Sequence, residues 1–331
     1  MNAEYQAARE STAFLDLSAR GKIEVTGADR VSFRHNILTQ DIKNLKTGSS
    51  CPAALLSAPA KVLALMNVWK MEDKILLDTD PGFEKKLAGL LEKFLITEDV
   101  QLEIATAKYS DFLIKGPKAG DLLGHFDDPP YFWRGGKIQG FLGLWPRKDS
   151  IAIRNKLTAA GAVPISAETE EILRIEEGIL RYGVDVTEEI SVPETGLDDL
   201  YASETKGCYP GQEVVARTKT YKGLQRKITG VVFSLSSRGA QRREISEKWD
   251  FSSPSGVRND MPKRSDKIYF EEKEIGWITS ACVSPALGGI ALGYVVKGFF
   301  FVEGGEEQIE VQIKTNSEII TAKITTLPFL H

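Results

Sequence analysis

From Lys22 to His125 the chain alternates between runs that favour a strand and runs that favour a helix, and this alternation limits the fold more than any single residue does. Residues 2–13 read as a short opening helix. Lys22-Ile-Glu-Val-Thr26 then alternates apolar and polar side chains, which is the period of a strand. Gly27 breaks it, and Asp29 is placed to cap a helix through Ile37, with Val31, Phe33 and Ile37 or Leu38 on the apolar side. Strand-like runs follow at 52–57, 61–71 and 74–78. Residues 81–95 read as a helix entered at Pro81, with Phe83, Leu87, Leu90, Leu91 and Phe94 on one face. Residues 100–105 and 109–114 are strand-like again, and Gly116-Pro117 opens a helix to about His125. Such alternation predicts an α+β or α/β sheet layer.

Composition narrows the class. The chain has 331 residues, 42% hydrophobic and 27% charged, which is ordinary for a soluble globular protein and long enough for two or three domains. Its net charge of −4 excludes a basic nucleic-acid footprint at the level of the whole chain, so direct nucleic-acid binding is not expected. No apolar run approaches the ~18 residues of a membrane span, and the N-terminal residues have neither a basic start nor an apolar core. The expectation is a cytoplasmic protein without membrane contact. Cys51, Cys208 and Cys282 are odd in number and form no C-x-x-C pair, which argues for a reducing compartment. With histidines only at positions 35, 125 and 331, no cluster has metal-ligand spacing, and no metal site is expected.

In the second half, residues 127–150 read as loops and short strands, and 151–160 as strand then helix. Residues 168–180 read as a helix carrying Ile172, Leu173, Ile175 and Ile179, on which Glu177 reads as a surface charge. Residues 236–265 are polar and basic, with scattered Ser, Pro and Gly, and read as an insertion or long loop. Short strands surround it: 227–234, then 268–270, 275–280, 290–296, 299–302, 308–314 and 319–324. Cys282 lies among them as a buried thiol.

The chemistry concentrates in Lys206-Gly-Cys-Tyr-Pro-Gly-Gln-Glu213 and on to Arg217. Gly207 and Gly211 open backbone angles closed to other residues, and Pro210 stiffens the turn. Residues 212–217 suit a short helix or a strand. If they form a helix, Cys208 precedes its N-terminus with Lys206 two residues away, and both features favour a thiolate. Taken alone, a Gly-Pro-Gly turn with one cysteine is equally a tight turn around a small buried hydrophobe.

This stretch resembles the K-G-C-[FY]-x-G-Q-E-x-x-x-R signature of the YgfZ family, folate-binding proteins related to the glycine cleavage T-protein (aminomethyltransferase) and acting in iron–sulfur cluster assembly or repair. Other segments are similar to the same families: Leu38-Thr-Gln-Asp-Ile42 with Leu45 and Gly48; Arg174-x-Glu176-x-Gly178 leading to Tyr182-Gly-Val-Asp185; Pro193-Glu194 and Gly196-Leu197; Gly276-Trp-Ile-Thr-Ser280; and Ile290-Ala-Leu-Gly-Tyr-Val295. The resemblance implies an α+β, T-protein-like fold. Residues 1–230 would form a folate-binding body of two packed subdomains, split near 50 and 120–170. Residues 231–331 would form a C-terminal β-barrel with the 236–265 insertion.

The same resemblance implies a role for each site residue. Cys208 would be the reactive group and Lys206 would stabilise its charge. Glu176 would accept N–H donors from the pterin. Tyr209, Gln212, Glu213 and Arg217 would shape the turn and orient ligand or thiol. The cofactor would be tetrahydrofolate or a derivative, and the partners iron–sulfur assembly or client proteins, with tRNA modification affected indirectly. One departure separates the chain from a true aminomethyltransferase: the segment that carries the T-protein's carboxylate, here Ala58–Trp69, contains no acid, and Ala64 or Leu65 cannot move a proton. Two alternatives stand beside the reading: tetrahydrofolate-dependent aminomethyl transfer, and a non-enzymatic module that binds folate and a partner.

Overall fold

The structure, a computed structural model, describes residues 3–126, 131–133, 140–221, 223–234, 261–300, 309–316 and 318–330. Most of the insertion expected at 236–265, the Pro129-Pro130 and Gly135-Gly136 pairs, and the end of the strand expected at 299–302 lie outside the described residues. By its internal contacts the chain divides into two units. The sheet unit comprises Ala7–Ser166 and Val186–Gly223, and the barrel unit comprises Met1–Gln6, Ala167–Asp185 and Leu224–His331.

The sheet unit holds strands β1 (Ala13–Asp16), β2 (Gly21–Thr26), β3 (Ser50–Leu56), β4 (Val62–Lys70), β5 (Ile75–Thr79), β6 (Gln101–Ile104), β7 (Tyr109–Lys115), β8 (Tyr131–Trp133), β9 (Gly140–Pro146) and β10 (Val163–Pro164). They form two five-stranded sheets, ordered β3-β4-β5-β2-β6 and β10-β1-β7-β9-β8. Pairing is antiparallel except between β1 and β10.

Strand β4 shows why the sheets stack. Ala64, Met66 and Val68 enter one core with Phe33 and Ile37 of helix α2 (Arg30–Ile37) and with Leu87 and Leu91 of helix α3 (Glu84–Glu92). Trp69, on the other face, joins Leu76, Leu113, Leu142 and Leu144 between the sheets. Each Val, Leu, Ile, Phe or Met among them adds roughly 1.5–3 kcal/mol when fully buried. Two local expectations change. Asp29 gives α2 no side-chain cap, because its carboxylate accepts the Asp99 N–H at 2.9 Å instead. Helix α3 starts at Glu84, since Pro81 and Gly82 are spent in the turn before it.

The barrel unit is closed by β11 (Arg226–Phe233), β12 (Lys267–Phe270), β13 (Lys273–Ser284), β14 (Gly288–Val296), β15 (Glu310–Lys314) and β16 (Ile319–Thr325), in the order β11-β14-β13-β12-β15-β16. Its interior is aliphatic and aromatic, with Val231, Phe233, Ile278, Val295, Ile313 and Ile324. Helices α4 (Ser150–Ala159), in the sheet unit, and α5 (Ala167–Glu176), in the barrel unit, complete the middle of the chain.

Helix α5 rests against β13 through an ion pair that no pattern reading reveals. Arg174 Nη1 donates to Asp185 Oδ2 at 2.7 Å with both side chains buried, and Asp185 Oδ1 accepts from Thr279 at 2.6 Å and Ser280 at 2.7 Å. The helix stops short of the expected Leu180 because the chain turns at Gly178, whose φ of 66° packs it against Leu327. That turn also folds Glu177 inward, so the residue expected on the surface is buried. Cys282 is buried as expected, and burial pushes its thiol up.

Candidate functional site

The Lys206–Arg217 stretch lies wholly in the sheet unit, and its residues have separable jobs. Its approach is stitched to the segment after α2. Ser203 N–H donates to Thr39 O at 2.9 Å and Gln40 Nε2 to Leu200 O at 2.8 Å, while Thr39 Oγ1 donates to Tyr201 O. The Leu-Thr-Gln motif therefore acts as a rail for the loop.

Lys206 then turns its ammonium onto the C-terminal end of α2, donating to the His35 and Leu38 carbonyls and, at 3.5 Å, to Gln40 O. A cation suits this end of a helix, where carbonyls lack intrahelical partners. The Lys206 ammonium also sits 5.2 Å from the centre of the buried Tyr209 ring. Burial pushes Lys206 down to about 8, against the pull of Asp41. Asp41 lies 3.3 Å from His35 Nδ1, and His35 is itself lowered, first by burial and next by the charge of Lys206.

Gly211 fixes the far side of the loop. Its φ is 81°, and a Cβ there would lie 2.8 Å from Ala60 Cα and 2.8 Å from Ser57 O, in the turn joining β3 to β4. Gly207 has open space around it. With Lys206, Tyr209 and Gly211 held, Cys208 and Gly207 are exposed. Helix α6 (Asp198–Tyr201) precedes the loop and helix α7 (Gln212–Tyr221) follows it, so residues 212–217 are helical. Gln212 is half-buried, and its N–H reaches Tyr209 O at 3.2 Å. Glu213 and Arg217 face solvent, 84% and 71% exposed, and approach each other at 3.9 Å.

Glu176 belongs to the barrel unit, at the end of α5. It is fully buried, and Oε1 accepts hydrogen bonds from the Tyr5 hydroxyl at 2.8 Å and from the Ser284 hydroxyl. Tyr5 sits on helix α1 (Ala3–Glu10). The sheet unit thus gathers Lys206, Cys208, Tyr209 and Gln212 on one loop, carries Glu213 and Arg217 on a solvent face, and does not contain Glu176.

Strand β4 holds no acid where Ala64 and Leu65 stand, and both are buried. Carboxylates lie instead on β5, beside β4, and on β7 of the other sheet. Asp78 of β5 pairs across from Asn67 of β4, with Oδ2 3.5 Å from Asn67 Nδ2, while Arg20 Nε donates to its Oδ1 at 2.8 Å. Lys22 Nζ lies 2.6 Å from Asp111 Oδ1, both fully buried. Burial and then the charge of Asp78 push the Asp111 carboxyl up to about 7, with Lys22 and Arg20 opposing. Pattern reading passed over this cluster. The available signal was a charge inside each apolar run, as in Lys22-Ile23 and Leu76-Leu77-Asp78.

Comparison with known proteins agrees with this architecture. Residues 1–130 match the GCVT N-terminal domain and residues 254–330 the glycine cleavage T-protein C-terminal barrel domain. A chloroplast protein of Arabidopsis thaliana described as a putative transferase is 30% identical over 67% of the chain, which spans 56% of that protein's length. The aminomethyltransferase of Listeria monocytogenes serotype 4b is 24% identical over 99% of the chain and 89% of its own. The crystal structure of glycine cleavage system aminomethyltransferase T from Bartonella henselae follows 99% of the chain and 88% of its own, with a TM-score of 0.77 at 21% identity. The chain therefore carries the GCVT N-terminal domain and the T-protein C-terminal barrel domain, on the T-protein fold.

Proposed function

We propose that the chain binds a reduced folate and acts on the one-carbon unit that the folate carries, as a T-protein-like transferase. The observation that carries this reading is the presence of both T-protein domains in one chain. Relatives named aminomethyltransferase, matched over 99% of the chain, suggest aminomethyl transfer as the reaction class; in our reading tetrahydrofolate takes the aminomethyl carbon and ammonia leaves.

Glu176 is the proposed acceptor for the pterin. Two hydroxyl protons already point at one of its oxygens, and a pterin amino group and ring N–H are donors of the same kind, so the buried carboxylate fits that edge. Cys208 is the proposed nucleophile, on a loop that Lys206 and Gly211 hold. Tyr209 and Gln212 would shape that loop, and Glu213 and Arg217 would meet a ligand or partner arriving from solvent. Tetrahydrofolate titration by calorimetry tests the reading. Wild type should bind, Glu176→Gln should bind at least tenfold more weakly, about 1.4 kcal/mol, and an aminomethylated lipoyl carrier should release ammonia. Absence of folate binding by wild type would end the proposal.

A second reading has its own support. The acid-free β4, with an exposed Cys208 on a rigid loop, suits a YgfZ-type helper in iron–sulfur cluster assembly or repair, in which the thiol exchanges on a partner. Folate binding without ammonia release would favour it. So would cells whose iron–sulfur enzymes, and through them tRNA modification, fail with Cys208→Ser.

A further inference from the structure

Among the described residues, the buried cations Arg174, Lys22 and Lys206 each have oxygen partners, carboxylates for the first two and backbone carbonyls for the third. Arg174, 2% exposed, has Asp185 and Glu171, and Lys22 has Asp111. Arg34 on α2 is 0% exposed, yet none of its three guanidinium nitrogens has a hydrogen-bond acceptor. Its nearest compensation is the Phe33 ring, 4.7 Å from Cζ. A cation over an aromatic face recovers only part of what an unpaired buried charge costs. Burial lowers Arg34 to about 9, so the group still carries its charge at neutral pH.

We propose that Arg34 is the receptor for a small oxyanion, a carboxylate or a phosphate, taken up against its guanidinium fork. A planar fork of parallel N–H donors matches two coplanar oxygens, and a low-dielectric setting strengthens each bond. The element that must yield to admit the anion is α2, which has eight residues and no side-chain cap; its start is tied from outside the helix, Asp29 N–H donating to Asp99 O at 3.1 Å and Asp99 N–H to Asp29 Oδ2 at 2.9 Å, with Arg30 on the Gly27 and Glu72 carbonyls. Helices this short hold together mainly through packing.

The test is the thermal unfolding midpoint of the full chain, titrated with sodium phosphate or sodium acetate against sodium chloride at matched ionic strength. Wild type should show a saturable rise with at least one of the two anions beyond the chloride control; phosphate alone would identify a phosphate-bearing ligand, acetate alone a carboxylate. Arg34→Met should start from a higher midpoint in chloride and show no specific rise. Arg34→Lys, which keeps the charge without the fork, should need about tenfold more anion and serves equally if the methionine variant does not fold. A wild-type midpoint that follows ionic strength whichever anion is present would overturn the proposal, as would either variant responding like wild type.

Discussion

Gly207 and Gly211 stand in one motif, yet the structure assigns them opposite tolerance to a methyl group. At Gly211 the backbone is left-handed, with φ at 81°. A side chain in that region costs about 1–2 kcal/mol. The new Cβ would also meet Ala60 Cα and Ser57 O at 2.8 Å and Ala60 N at 3.0 Å. Those are backbone atoms of a turn with little freedom: Ala60 N–H bonds Ser57 O at 2.9 Å and Ser57 N–H bonds Lys61 O at 3.0 Å. Forcing an atom into such a contact costs about 1–3 kcal/mol. Reduced freedom of the unfolded chain returns about 0.4–1 kcal/mol. Gly211→Ala should therefore lose about 1–4.6 kcal/mol. Gly207 has nothing within 4 Å of a built Cβ and no left-handed φ, so Gly207→Ala should be neutral or gain up to about 1 kcal/mol. Urea unfolding followed by tryptophan fluorescence measures both, and the rate of Cys208 alkylation under native conditions reports whether the loop has shifted. The reasoning fails if Gly211→Ala falls within about 0.5 kcal/mol of wild type, or if the two substitutions cost the same.

Three further outcomes follow from the buried charges. Asp111 is raised from 3.8 to about 7, so the folded state holds a proton that the unfolded chain has released; this group's contribution is full below pH 4, falls as pH rises towards 7, and should vanish from the pH–stability curve in Asp111→Asn. Asp185→Asn strands Arg174 with one carboxylate fewer and should cost about 3–5 kcal/mol, measurable as a lower urea midpoint of the barrel unit; recovery in Arg174→Met/Asp185→Leu would show the loss to be stranded charge. Lys206→Met leaves the His35 and Leu38 carbonyls without their donor and should cost about 1–3 kcal/mol, with amide exchange in residues 203–211 rising well above wild type; unchanged exchange there would mean that the loop is held by something else.

Much of the fold was legible because it rests on local pattern. The strands at 52–57, 61–71 and 74–78 lie within a residue or two of β3, β4 and β5, and the expected 227–234 became Arg226–Phe233. The signature marked the loop, and its alternative of helix or strand resolves as α7. What pattern could not supply was the direction of each polar group. Lys206 reads as a neighbour of Cys208, but its ammonium finds carbonyls more than 160 residues earlier in the chain. Asp29 reads as a cap until Asp99, distant in sequence, offers its N–H. Glu177 reads as exposed because its burial depends on a turn made against Leu327. Asp78 and Asp111 escaped notice because register across β2 and β5 is what sets Asp78 opposite Lys22 and beside Arg20, and the stacking of the two sheets is what brings Asp111 of β7 to Lys22.

Glu176 takes one hydroxyl from Tyr5, 171 residues before it, and another from Ser284, 108 residues after it. The barrel unit is thus sewn from the start, the middle and the end of the chain. During translation, residues 7–166 can begin to pack while residues 167–185 still wait for the strands that will enclose Arg174, Glu176 and Asp185. The unit that holds the proposed folate contact therefore closes after the sheet unit during synthesis, and until its strands emerge its charged 167–185 segment stands open to proteases and chaperones.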